Sequence, residues 1–133
     1  MKAVFADTSF FLASLNPDDA LHAKAIAVSR KITATRVTHG FVLLEVGNAI
    51  SRAALRSRFV EFYTWLLEHP RVRIVPSSEK LFHRGYELYA ARKDKDWSLT
   101  DCISFVVMRD EDLQTALTHD QHFEQAGYQA LLR

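Results

Sequence analysis

Along this chain, apolar runs of strand length alternate with longer stretches whose apolar positions recur at helical spacing. The opening "AVFA" is a short strand that stops at Asp7. "NPDDALHAKAIAVSRKI" then reads as a helix, with Asn16 as N-cap, Pro17 in the first turn and acids near the start. "TATRVTH" is a second strand, and a helix from Gly40 to Ala54 follows it. Residues 57–69 have helical spacing and close at His69-Pro70, before a strand at "VRIV". Ser77 or Ser78 caps a helix running to Arg92, and "DKDW" is a loop. Ser98 and Asp101, three residues apart, form a capping-box-like start for "LTDCISFVVMRDE". "QTALT" is a strand, "DQHFEQA" a short helix ended by Gly127, and "YQALL" a last strand. Strands alternating with helices specify an α/β fold, a parallel sheet of four or five short strands covered on both faces in three α/β/α layers. No repeat, low-complexity segment or Pro/Gly/Ser-rich linker interrupts it, so residues 1–133 are expected to form one domain.

In such sheets reactive groups gather outside the carboxyl ends of the strands. Asp7 directly follows the first strand, and Asp120 nearly follows a later one in "ALTHD". Asp101 lies in the first turn of its helix. Glu45, in "FVLLEVGNAI", lies about a turn and a half into another, among Phe41, Val42, Leu44, Val46, Ala49 and Ile50. Apolar neighbours covering most of that helix leave Glu45 partly solvated at best, and a carboxylate so placed needs a partner. The four side chains can converge on one crevice. Crowded carboxylates repel, and a hard divalent cation with oxygen ligands resolves the repulsion: Mg²⁺, or Mn²⁺ with similar preferences.

Net charge is +1, so no global field demands a polyanion partner, and a nucleic-acid role must rest on local patches. Cys102 is the single cysteine, which excludes an intramolecular disulfide and thiolate-rich zinc sites; in its apolar helix it reads as a small core residue. The N-terminus lacks an apolar signal core and no run approaches membrane-spanning length, so a cytoplasmic protein without a membrane partner is the default.

The pieces "FADTSF", "LLEVGNAI", "DWSLTDCISF" and "LTHDQHFEQAG", in this order and over nearly the whole chain, resemble the PIN-domain family of metal-dependent ribonucleases, and within it the VapC-like toxins of toxin–antitoxin pairs. The resemblance implies a single PIN-like α/β/α domain, Mg²⁺ or Mn²⁺ at the acidic cluster, hydrolysis of RNA phosphodiesters, a cognate antitoxin and a homodimer. It carries Asp7, Glu45, Asp101 and Asp120 over as catalytic and metal-binding positions, with Asp7 and Asp101 as direct ligands and Asp120 holding a second ion or positioning water. Thr8 and Ser9 offer hydroxyls and backbone amides beside Asp7, and Asn48 is placed to orient Glu45. Arg52, Lys93 and Lys95 flank the proposed site and suit phosphate contact.

Each feature also has an ordinary reading. Asp7, Asp101 and Asp120 could be helix caps, and Glu45 could lie at a solvent margin or pair with Arg52. His119 and His122 bracket Asp120 without a further soft ligand nearby, so a structural or solvated role is favoured for both, although their place also suits substrate contact. Phe59, Phe62, Tyr63 and Trp65 are more aromatic surface than one helix face can hide, which suits core packing or a partner interface. Two other functions compete. A phosphoacceptor domain needs an early acidic pair and a lysine after a late strand, and neither is present. A PIN-like RNA- or protein-binding module without catalysis is the alternative, against which the intact acidic tetrad argues.

Overall fold

The computed structural model describes residues 2–133; the expected 1–133 domain extends one residue further, to Met1, which lies outside the described residues. Its centre is a five-stranded, all-parallel sheet in the order β3-β2-β1-β4-β5, formed by β1 (Ala3–Ala6), β2 (Thr35–His39), β3 (Val72–Val75), β4 (Thr115–Leu117) and β5 (Gln129–Ala130). Helices α1 (Thr8–Leu15), α2 (His22–Lys31), α3 (Gly40–Ala49), α4 (Arg56–Glu68), α5 (Glu79–Ala91), α6 (Leu99–Asp110) and α7 (Gln121–Gln125) connect and cover the strands. Among the described residues no helix is long and apolar enough to cross a membrane.

Strand β1 is central and wholly apolar. Phe5 pairs with Val37 on one side and Ala116 on the other. The chain builds outward from β1 through β2 to β3, then returns across the sheet to β4 and β5. The order therefore reverses between β1 and β4, and the crevice at their carboxyl ends is a topological switch point, where α/β sheets place ligands. Asp7 stands there, its N–H donating to the Leu117 carbonyl at 3.1 Å. The core beneath is aromatic: Phe123 stacks on Phe5 with centroids 6.0 Å apart and meets Phe105 edge-on at 5.0 Å.

Helix α6 is the most deeply buried helix. Every residue from Asp101 to Met108 is buried, which explains why "CISFVVM" is apolar on nearly all sides, Ser104 excepted. Helix α5 lies against it at Gly85, where an added Cβ would stand 3.0 Å from the Ile103 Cα. Trp97, in the expected loop before α6, is buried, packs edge-on to Phe105 at 4.9 Å and donates its indole N–H to Gln125 at 3.1 Å.

Two helix boundaries differ from expectation. Asn16 does not start α2; it is the C-cap of α1, with its N–H bonded to the Leu12 carbonyl. Its side chain accepts the Asp18 N–H at 3.0 Å and that of Asp19 accepts the Leu21 N–H at 2.8 Å, so "NPDDAL" is spent on Asx turns that compete with the helix, and α2 begins at His22. Helix α3 stops at Ala49 rather than Ala54. Arg52 is extended (φ −58°, ψ 145°), and a 3₁₀ turn over Ala53–Leu55 leads into α4, tertiary routing overriding the helix propensity of two alanines.

Candidate active site

The acids come from four places in the chain: Asp7 and Asp120 from strand–helix connections, Glu45 and Asp101 from helices α3 and α6. Asp7 ends β1 and precedes α1, yet its side chain caps nothing there. Its Oδ2 instead accepts a 2.9 Å hydrogen bond from the Thr118 hydroxyl, just beyond β4. With that hydrogen committed to Asp7, Thr118 Oγ1 is the acceptor in its other contacts, from the Asp120 N–H at 3.0 Å and the Ser9 hydroxyl at 3.2 Å. Ser9 Oγ in turn accepts the His119 N–H at 3.2 Å. Thr118 is therefore the hub that fixes Asp7, Ser9 and the Asp120 backbone relative to one another.

Asp101 projects from the first turn of α6, held by a complete capping box. Its N–H donates to Ser98 Oγ at 2.9 Å, and the Ser98 N–H returns to Asp101 Oδ2 at 3.1 Å. The same Oδ2 accepts from His122 Nδ1 at 2.9 Å, and Asp120 Oδ1 lies 3.3 Å from that nitrogen. Both faced groups are carboxylate oxygens, so Nδ1 carries the hydrogen. Asp120 also caps α7, accepting the His122 N–H at 2.8 Å. The ligand atoms of Asp101, Asp120 and His122 all lie within 4.8 Å of one another.

Glu45 is half-buried on α3, and its partner is Thr8, whose hydroxyl donates to Oε1 at 2.7 Å. Thr8 adjoins Asp7, so Glu45 is tied to the crevice through the first residue of α1. Neither Arg52 nor Asn48 plays that part. Asn48 is exposed and lines a separate groove with Leu44, Phe59 and Tyr63, and Arg52 is exposed in the α3–α4 connection. Lys93 and Lys95 sit in the α5–α6 loop, Lys95 with its ammonium 6.0 Å from the Trp97 ring centre.

Burial dominates the electrostatics. Asp7 is 5% exposed, and loss of hydration pushes its carboxyl up to about 7. The Thr8 amide and Thr118 hydroxyl pull it back, while the charges of Asp101 and Asp120 push it further up. Asp101 is raised for the same first reason, with the His122 hydrogen bond opposing and Asp120 adding to the rise. Two carboxylates, Asp7 and Asp101, kept above their usual range by burial and by neighbouring negative charge are short of a cation. The oxygen-rich set, joined by one imidazole, fits a divalent cation. Cys102, buried beside Asp101, has its thiol pushed up to about 11 by burial and is a core residue.

Sequence reasoning passed over Thr118, whose signal was a hydroxyl just beyond a strand that ends at the switch point. For His122, beside Asp120, the sequence favours a structural or solvated role; its link to Asp101 spans 21 positions and is not visible locally.

A PIN-domain family model matches residues 4–128, and the chain belongs to the PIN-domain family. Among characterised relatives, the 23S rRNA-specific endonuclease VapC20 of Mycobacterium tuberculosis is 28% identical over 130 residues, spanning 94% of this chain and 95% of that protein. The crystal structure of VapC20, described as a Sarcin-Ricin loop cleaving toxin, superposes with a TM-score of 0.85 at 26% identity, covering 94% of this chain and 95% of that one. FitAcB from Neisseria gonorrhoeae has a TM-score of 0.69 at 16% identity, covering 96% of this chain and 94% of that one. VapBC2 from Rickettsia felis, solved with a DNA fragment from its promoter, has a TM-score of 0.67 at 16% identity and 96% coverage of both chains. These last two share the fold.

Proposed function

We propose that this protein is a divalent-metal-dependent endoribonuclease, the toxin of a VapC-like toxin–antitoxin pair, acting on RNA in the cytoplasm. The observation that carries the reading is the cluster of Asp101, Asp120 and His122 in a PIN domain, with Asp7 near enough to feel the charges of both aspartates, and the full-length likeness to a 23S rRNA endonuclease supports it.

Asp7, Asp101 and Asp120 would hold Mg²⁺ or Mn²⁺, with Glu45 close by and His122 orienting the carboxylates; the ion, when bound, supplies Lewis-acid activation of water and phosphate for in-line hydrolysis. The chain's own groups set up that chemistry. Thr118 and Thr8 orient the carboxylates of Asp7 and Glu45, and the Ser98 capping box fixes that of Asp101. His122 donates Nδ1–H between Asp101 and Asp120, which keeps the two acids together. Arg52, Lys93 and Lys95 would contact backbone phosphates and bring the strand to the acids.

A cognate antitoxin and a second copy of the chain complete the assembly. The antitoxin's place is the groove between α1, α2 and α4, lined by Phe10, Phe11, Ile26, Phe62 and Trp65 with Arg36 and Arg58 at its margin. Such an apolar, aromatic, Arg-bearing surface suits a protein partner.

The test is cleavage of a structured RNA pool that includes ribosomal hairpins, with Mg²⁺, Mn²⁺ or EDTA, comparing wild type with Asp7→Asn and Asp101→Asn. Cleavage is expected to need metal and both aspartates. Cutting that survives either substitution would overturn the assignment of the site; RNA binding without cutting would favour the binding-module alternative.

A further inference from the structure

Beside Asp101 lies a second feature that the acidic cluster does not account for. The exposed face of α5 and the α5–α6 loop enclose a cleft of about 790 Å³, with Tyr86, Tyr89, Lys93 and Lys95 on its walls and Ser98 at its inner end. Ser98 is the residue whose N–H and hydroxyl hold Asp101, so this lining residue joins the cleft to the acidic cluster. Tyr86 and Tyr89 are 49% and 50% exposed, three residues apart on one helical face. Phe82, further along that face, packs on Phe41 at 5.9 Å, whereas the ring pair Tyr86 makes among the described residues is with His83 of its own helix, at 6.0 Å. Trp97 is 6% exposed and offers no free face. The cations divide similarly. Arg92 is engaged by Asp94 at 2.9 Å, while Lys93 and Lys95 form no ion pair among the described residues, although Lys95 shares the Trp97 ring with Arg92, at 6.0 Å against 4.9 Å; Asp96 is the remaining acid on the rim.

Two open aromatic faces next to two unpaired ammonium groups match the recognition chemistry of a single strand, whose bases stack on rings while its phosphates meet cations. We propose that Tyr86 and Tyr89 form a base-stacking platform, with Lys93 and Lys95 on the phosphates, that holds the unpaired nucleotides adjoining the scissile bond beside Asp101. The proposal rests on the ribonuclease reading and adds to it the residues of this chain that would hold the unpaired strand beside the cut. Duplex RNA keeps its bases stacked on each other and presents no face to the tyrosines.

The experiment measures the anisotropy of a labelled oligouridylate of about 12 nucleotides, within the range of single-strand site sizes, in EDTA so that nothing is cut. Wild type is compared with Tyr86→Ala, Tyr89→Ala, their double and the matching Phe variants, each checked for native mass by light scattering. Each Ala is expected to weaken binding about tenfold and each Phe to restore it, because the ring and not the hydroxyl stacks. A duplex of the same length is expected to bind more weakly than the single strand. Unchanged affinity in the double Ala variant would overturn the platform, and if wild type still cleaves RNA the ribonuclease reading stands without it. Loss of affinity accompanied by a fall from dimer to monomer mass would make this face an interface between copies and also overturn it. No binding by wild type, together with no cleavage, would remove both readings.

Discussion

At the scale of single residues, Asp7 carries the sharpest consequence. Its carboxyl is pushed from 3.8 to about 7 in the folded chain, so between those values the native state keeps a proton that the unfolded state has lost. By linkage, the metal-free protein loses stability as pH rises through that window, by an amount of order 4 kcal/mol at full shift. Asp7→Asn removes the titration. In EDTA the variant is expected to be clearly more stable than wild type at pH 8 and nearly equal to it at pH 4, read from urea midpoints; equal midpoints at pH 8 would mean that Asp7 carries no such strain. Divalent cation should reverse the order, because wild type alone offers the carboxylate. His122 makes a separate prediction. His122→Ala should weaken Mn²⁺ binding by about 10- to 100-fold in calorimetry, the usual loss when a group that orients ligating carboxylates is removed. The places of the four acids in the fold were legible in the sequence because a position after a strand or early in a helix is itself a topological statement, although the group within ligand distance contains only Asp101 and Asp120 of the four. The bland cap readings proved partly true, since Asp101 completes a capping box and Asp120 caps α7, and capping and site geometry are compatible uses of one carboxylate. Asp7 alone has no capping bond. Thr118 and the link from His122 to Asp101 were missed because they exist only once β4 lies beside β1 and α7 beside α6.

At the scale of elements, the site depends on where α6 rests. Gly85 lets α5 approach it, and the effect of adding one methyl there sets two terms against each other. Gly to Ala gains about 1 kcal/mol of helix propensity, but the new Cβ would stand 3.0 Å from the Ile103 Cα and 3.1 Å from its N, backbone atoms that cannot step aside. Overpacking of a rigid core typically costs 1–3 kcal/mol, so Gly85→Ala is expected to lower stability by about 1 kcal/mol net, and to reduce cleavage as α6 shifts Asp101. A stabilised variant would mean that α5 slides freely. His39 joins α3 to α6 in the same way. Burial pushes its imidazole down to about 3, so the ring is neutral, accepting the Val42 N–H at Nδ1 and donating from Nε2 to Ser104 Oγ at 2.9 Å. All five strands and every long helix could be read from periodicity and caps. The limits of α2 and α3 could not, because Asx turns at Asn16 and Asp19 and the rerouting at Arg52 answer to neighbours distant in sequence.

For the whole molecule, the near balance of 17 basic against 16 acidic side chains, net +1, governs how it can meet RNA. A polyanion approaching such a chain gains little from the long-range field, so affinity has to come from stacking and from a few local cations. For single strands the logarithm of affinity falls with the logarithm of salt at about 0.7 per phosphate neutralised. If Arg52, Lys93 and Lys95 are the contacts, the slope is expected to be about −2, so that a fourfold rise in salt weakens binding roughly fifteenfold. Replacing Lys93 and Lys95 together by Gln should bring the slope to about −0.7 while leaving the stacking contribution intact. Filter binding across a salt series measures both. A wild-type slope steeper than about −4 would require more phosphate contacts than the three proposed cations supply, and would point to a second chain contributing its own basic residues to one RNA.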